Sequence, residues 1–245
     1  MLEDEQSLII FEDWHALAEA VRVRPIDVVI VDPRADGALR VDEVATLVER
    51  YPSLPVIVYA VLAPEMLQGT VELARAGVRH VVLRGFDDEP RRFRELLERL
   101  PSRTLDGIVM EQLRPRLELA PALLRRAILE LFESPHLFRG VSDLARAAGM
   151  TRRNLDRWLD RLGLASGRML LMGARTTRAV HYMRDPGFLL EDITRKLGYE
   201  SPRLFARQVR AITGLSPSVV RGSVQYEKVI EQVAERLCRR GGCEA

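Results

Sequence analysis

Hydrophobic positions along the first hundred residues fall into short, β-branched runs separated by amphipathic stretches. The runs "SLIIF" (7–11), "IDVVIVD" (26–32), "VIVYAV" (56–61) and "HVVLR" (80–84) have the length and composition of strands buried on both faces. Between and after them, apolar residues recur at three- and four-residue intervals, which predicts helices over 14–23, 41–51, 64–76 and 89–100. Strand and helix alternating at this spacing predict right-handed crossovers and a parallel sheet. Asp13, Asp88 and the loop ending at Gly37 supply helix-start and turn signals.

The pattern changes after residue 100. The stretch 101–116, with "LPSRT" at its start and "LRPR" at its end, reads as a connector, and from Leu117 onward no strand pattern remains. "APALLRRAILELFESP" is amphipathic and stops at Pro135. "VSDLARAAGMTRRNLDRWLDRLG" (141–163) then places a short helix, Gly149 for a tight turn, Thr151 as an N-cap and a second helix in succession, a helix-turn-helix pattern. "LLEDITRKLGYESPRLFARQVRAITG" (189–214) repeats it, with Gly198 and Ser201 in place of Gly149 and Thr151. Leu144, Ala145, Ala148, Leu155, Trp158 and Leu159 fit the inner angle of the first unit, and Ile193, Leu197, Phe205, Val209 and Ile212 that of the second. The opposite faces of the second helices offer Arg152, Arg153, Asp156 and Arg157 in one unit, and Arg203, Ala206, Arg207 and Arg210 in the other. Such a helix fits the major groove of B-DNA. A last stripe, Tyr226, Val229 or Ile230, Val233 and Leu237, runs through 224–240 and suits packing on its own domain, with a dimer contact as the alternative.

Length and charge sharpen this division. The 245 residues exceed one average domain, and the formal net charge of +2 conceals an asymmetry. Residues 1–104 hold 13 basic and 19 acidic side chains, net −6; residues 105–245 hold 24 and 16, net +8. A basic half points to a polyanion as its partner. The acidic start "MLEDEQ" and the absence of any apolar run of eighteen residues predict a cytoplasmic protein without a membrane span. Cys238 and Cys243, close to the C-terminus, have no nearby His or Cys to complete a metal set, so neither a metal nor a cofactor is expected. Four scattered His, no Gly-rich phosphate loop and no spaced nucleophile–base pair argue against an enzyme.

Two resemblances add to these readings. "IDVVIVDPRADG", "YPSLPVIVYA" and "ELARAGVRHVVLRGF" resemble the later strands of response-regulator receiver domains, over most of residues 7–100. The resemblance implies a flavodoxin-like parallel sheet lacking the first strand, with Asp32 at the phospho-acceptor position. The chain departs from the family at Ala60, where a Thr or Ser is usual, and at Arg84 and Gly85, where a Lys and a Pro are usual. The metal-binding acid pair is missing as well, unless "LIIFED" is the first strand and Glu12 and Asp13 supply that pair. The implied module is a degenerate receiver-like domain for dimerisation or for docking a protein or small-molecule signal; a response regulator phosphorylated on Asp32 is the alternative.

"DLARAAGMTRRNLDRWL", Arg175 and Ala179 before "MRDPG", and "LGYESPRLFARQVRAITGLSPSVVR" closely resemble the AraC/XylS transcription regulators over about Leu117 to Arg221. This implies an all-α domain with two helix-turn-helix units on double-stranded DNA. The base-reading positions would be Arg153, Asp156 and Arg157, then Pro202, Arg203, Ala206 and Arg207, with Arg161 and Arg210 directed to phosphates. Asp156 could accept from a cytosine amino group or pair with a neighbouring Arg. Val209 stands where the family usually has Phe. The expected organisation is a receiver-like α/β domain at 1–104, a linker at 105–116, the DNA-binding domain at 117–222, and a C-terminal helix and tail at 223–245. A helical domain that binds a protein instead of DNA is the competing reading.

Overall fold

The computed structural model describes residues 8–34, 37–100, 104–223 and 225–238. The chain divides into two compact units, residues 1–100 and 101–245.

In the first unit, helices α1 (Trp14–Val23), α2 (Val41–Arg50), α3 (Pro64–Arg75) and α4 (Pro90–Arg99) alternate with strands β1 (Val29–Val31), β2 (Val56–Ala60) and β3 (His80–Leu83). The three strands form one parallel sheet in the order β1-β2-β3, with Val29 opposite Val56 and Val58 opposite Val81. Ile57 and Val58 on the central strand are fully buried, as expected when helices cover both faces. Asp13 caps α1 by accepting from the Ala16 amide at 2.7 Å.

Three expectations need correction here. Residues 8–11 form no strand; Leu8 and Ile10 are 80% and 79% exposed, and no described strand lies beside β1 on its outer edge. An apolar run of this length becomes a strand only where a neighbour takes up its backbone groups, so composition alone could not make it one. Asp88 does not cap α4. Its carboxylate accepts from the Gly85 amide and the Tyr59 hydroxyl, both at 2.8 Å, and bonding to that hydroxyl, then to the amide, holds its pKa below the usual carboxylate value. Finally, 105–116 is no linker but most of helix α5 (Thr104–Leu117), part of the second unit. Leu105, Val109, Leu113 and Leu117, at intervals of four, are all buried on that helix. Ser7, the residues before it, and Cys243 lie outside the described residues.

Among the described residues, the regular structure of the second unit is helical apart from one isolated bridge. After α5 come α6 (Ala122–Glu133), a 3-10 turn (Pro135–Leu137), α7 (Val141–Ala147), α8 (Arg152–Arg161), the long α9 (Gly167–Met183), α10 (Leu190–Lys196), α11 (Pro202–Thr213), α12 (Pro217–Arg221) and α13 (Tyr226–Leu237). Most of α9 is buried, because α5, α6, α7, α11 and α13 all pack on it. Ion pairing helps seat this axis: Arg178 of α9, 5% exposed, faces Asp106 of α5 at 3.6 Å and also donates to the carbonyl of Glu133 at the end of α6.

Candidate DNA-binding interface

Pairs α7–α8 and α10–α11 are built by the same local devices. Asp143 and Asp192 each sit three residues into the first helix of a pair and accept from the backbone amide at its start, Gly140 at 3.1 Å and Leu189 at 3.1 Å. The Gly140 amide, the larger influence, and the Arg139 amide at 2.9 Å keep Asp143 ionised to lower pH than an ordinary carboxylate. Both turns pass through a left-handed glycine, φ +64° at Gly149 and +68° at Gly198, where a side chain would be strained. The second helices then start on hydroxyl caps: Thr151 accepts from the Asn154 amide and Ser201 from the Leu204 amide, each at 3.3 Å.

These anchors turn one face of each second helix inward. Leu155 and Leu159 of α8, and Phe205, Val209 and Ile212 of α11, are buried, together with Leu144, Ala145, Ala148, Ile193 and Leu197 from the preceding helices. Trp158 is only half-buried, and the Arg161 guanidinium lies 4.6 Å from its ring centre. Tyr199, in the second turn, packs edge-on to Phe205 at 5.3 Å. Burial pushes the pKa of its phenol up to about 12.

On the outward faces, Arg152, Arg153, Asp156, Arg157 and Arg161 of α8 and Pro202, Arg203, Arg207 and Arg210 of α11 are exposed, while Ala206 is half-buried. Among the described residues, Arg152, Arg153, Arg157, Arg203, Arg207 and Arg210 form no intramolecular ion pair, and neither does Asp156. Arg146, by contrast, is held by Asp143 at 3.0 Å. Six guanidinium groups on two helices with matching caps are thus left to bind an external anion.

Arg175 joins the two halves of this surface. From α9 its Nη2 donates to the Phe138 carbonyl ahead of α7 at 2.9 Å, and its guanidinium lies 5.5 Å from the ring centre of Tyr199. Neither contact follows from a helical period, because the partners are 37 and 24 positions away along the chain. The paired N3 aspartates could have been found: "VSD" and "LED" stand 49 residues apart at the head of each repeat.

Asp32 directly follows β1, and its carboxylate accepts from the Arg34 amide at 2.9 Å. No cluster of three or more His, Cys, Asp or Glu suited to a metal ion occurs among the described residues. Within the same residues, no helix is long and apolar enough to cross a membrane.

Residues 144–223 match a protein family described as "Helix-turn-helix domain". The match begins within α7, takes in α8, α10 and α11, and supports an AraC-type DNA-binding domain in a transcription regulator. No curated protein and no solved structure matches the chain.

Proposed function

We propose that the protein is a sequence-specific transcription regulator that reads DNA with α8 and α11. The observation that carries this reading is the set of arginines, free of carboxylate partners, on two identically capped helices inside the matched segment. Arg153, Asp156 and Arg157 of α8, and Pro202, Arg203, Ala206 and Arg207 of α11, would meet base edges; Arg152, Arg161 and Arg210 would bind phosphates. An Arg on guanine O6 and N7 selects a base, whereas phosphate contacts raise affinity without selecting. Arg153→Ala and Arg203→Ala are each expected to cost about 1–3 kcal/mol on a site selected from random DNA, and to relax preference at one base position. Full affinity and unchanged preference in both variants, measured by fluorescence anisotropy, would overturn the assignment.

For the first unit, we infer a receiver-like module that dimerises or docks a signal without conventional phosphorylation. In support, among the described residues the sheet ends at β1, whose central Ile30 is 41% exposed, and the apolar Leu8 and Ile10 ahead of α1 are exposed as well. Exposed edges of this kind are usually covered. A cavity of about 510 Å³ between α1 and α2, with Trp14, Leu17, Leu47 and Tyr51 in its wall, offers room for a signal. Sedimentation is expected to show a dimer that Ile30→Glu dissociates, with neither mass nor dimer fraction altered by acetyl phosphate and Mg²⁺. A monomer at micromolar concentration, or added phosphate on Asp32, would contradict this role.

A further inference from the structure

Helix α13 lies beyond the segment that matches the helix-turn-helix family, yet its last turn reaches the loop that follows α8 and the C-terminal turn of α11. On the α8 side, the Leu237 carbonyl accepts from the Ala165 amide at 2.8 Å, and Cys238 pairs with Leu164 in the antiparallel bridge, just past the end of α8. On the α11 side, Arg236 Nη1 donates to the Ala211 carbonyl at 2.5 Å, within the last turn of α11. Consecutive residues of one turn therefore hold α11 and the short loop that leads from α8 into α9.

The turn is itself fixed from behind. The fully buried Leu237 side chain fills the hollow above Gly173 of α9, where an added Cβ would stand 2.8 Å from Leu237 Cδ2. Arg116 of α5 donates to the Cys238 sulfur at 3.1 Å, and α13 packs along α5. Residues 236–238 cannot shift towards one recognition helix without disturbing the other or leaving this seat.

We infer that α13 is a strap that sets the separation of α8 and α11, so that Arg236 and Leu237, which touch no base, determine which spacing of half-sites the protein accepts. This rests on the proposal that both helices read DNA. Inserting one base pair between the two contacted segments moves one by about 3.4 Å and turns it by about 35° relative to the other. A rigid pair of helices cannot follow such a change, whereas a loosened pair can.

The experiment uses the full chain with Arg236→Ala, Arg236→Lys and Leu237→Ala. Binding is compared on the selected site and on the same site with one base pair inserted or deleted between its halves. The parent is expected to bind the respaced sites roughly 30-fold more weakly, the scale of losing one or two base contacts. With Arg236→Ala the ratio should fall to about 5-fold, and Arg236→Lys, which keeps a donor, should recover part of it. A merely structural role would weaken all sites by a common factor, and that result, or an unchanged ratio, overturns the proposal. A second arm needs no DNA: spin labels carried by unnatural amino acids at Asn154 and Arg210 report the distance between the helices. The distribution should be narrow in the parent and broad with Leu237→Ala, and equal widths would refute the strap. Were the parent to bind all DNA equally, the DNA-reading proposal would fail while the label distances still decided this one.

Discussion

Replacing Arg178 with alanine is expected to destabilise the C-terminal unit by about 3–5 kcal/mol, the scale found when one member of a buried ion pair is removed. Arg178 and Asp106 have side chains only 6% and 10% exposed, so Asp106 would be left without its nearby cation in a site that water scarcely reaches. The Glu133 carbonyl, one of the acceptors at the C-terminal end of α6 that cannot be satisfied inside the helix, would lose its donor too. Three helices meet at this point, and the loss should appear as an earlier loss of helical circular dichroism on heating or in urea. The apolar pair Asp106→Leu with Arg178→Met provides the control. It leaves no buried charge and should recover most of the loss, but not the part that belongs to the Glu133 carbonyl. If Arg178→Ala melts within about 1 kcal/mol of the parent, the pair contributes no more than a surface contact does.

How much of this was legible beforehand depended on the range of the interactions. The helix-turn-helix units could be read because their determinants are local: Thr151 and Ser201 bond three residues ahead, and Gly149 and Gly198 take up a positive φ. Burial of Leu155, Phe205 and Val209 follows from the helical period. In the first unit, the runs around Val29, Val56 and His80 hold strands because each finds a parallel neighbour. The run at 8–11 has the same composition and no such neighbour, a condition its residue types do not express. Helix α5 was hidden by punctuation. Gly107 and Pro115 fall between the stripe positions Leu105, Val109, Leu113 and Leu117 and read as helix breakers, but Pro115 stands exposed in the last turn, and the stripe is held by α13 from more than a hundred residues away. For the same reason the roles of Arg175, Arg178 and Arg236 could not be read: each donates to a backbone carbonyl distant in sequence, and every residue offers such an acceptor.

Phe205→Ala should abolish reading by the second helix pair while sparing the first. Phe205 is 2% exposed and fills the angle between α10 and α11, where the neighbouring Val209 has a smaller side chain than the Phe usual in the family it resembles. Removing the ring is expected to cost about 3–5 kcal/mol, because little nearby is large enough to close the cavity. The edge-on contact with Tyr199 is lost as well, and water gains access to the Tyr199 hydroxyl, which has no hydrogen-bond partner among the described residues. That predicts a change with pH whose sign can be worked out. In the parent, burial raises the Tyr199 pKa from 10.0 to about 12, so the folded state holds this proton more tightly than the unfolded chain does. The stability associated with the neutral phenol is complete below pH 10 and is lost as pH rises through about 12. With Phe205→Ala the folded pKa should fall back towards 10.0, and this alkaline loss should flatten although the protein is weaker at neutral pH. Urea titrations between pH 8 and 11 measure both effects, and ultraviolet titration of the phenolate follows Tyr199 directly against the other tyrosines. Parallel stability curves for parent and variant would show that Phe205 does not shield Tyr199. On DNA, the variant should keep the base preferences set by α8 and lose those set by α11, because the caps at Asp143 and Thr151 and the core at Leu155 belong to the other pair.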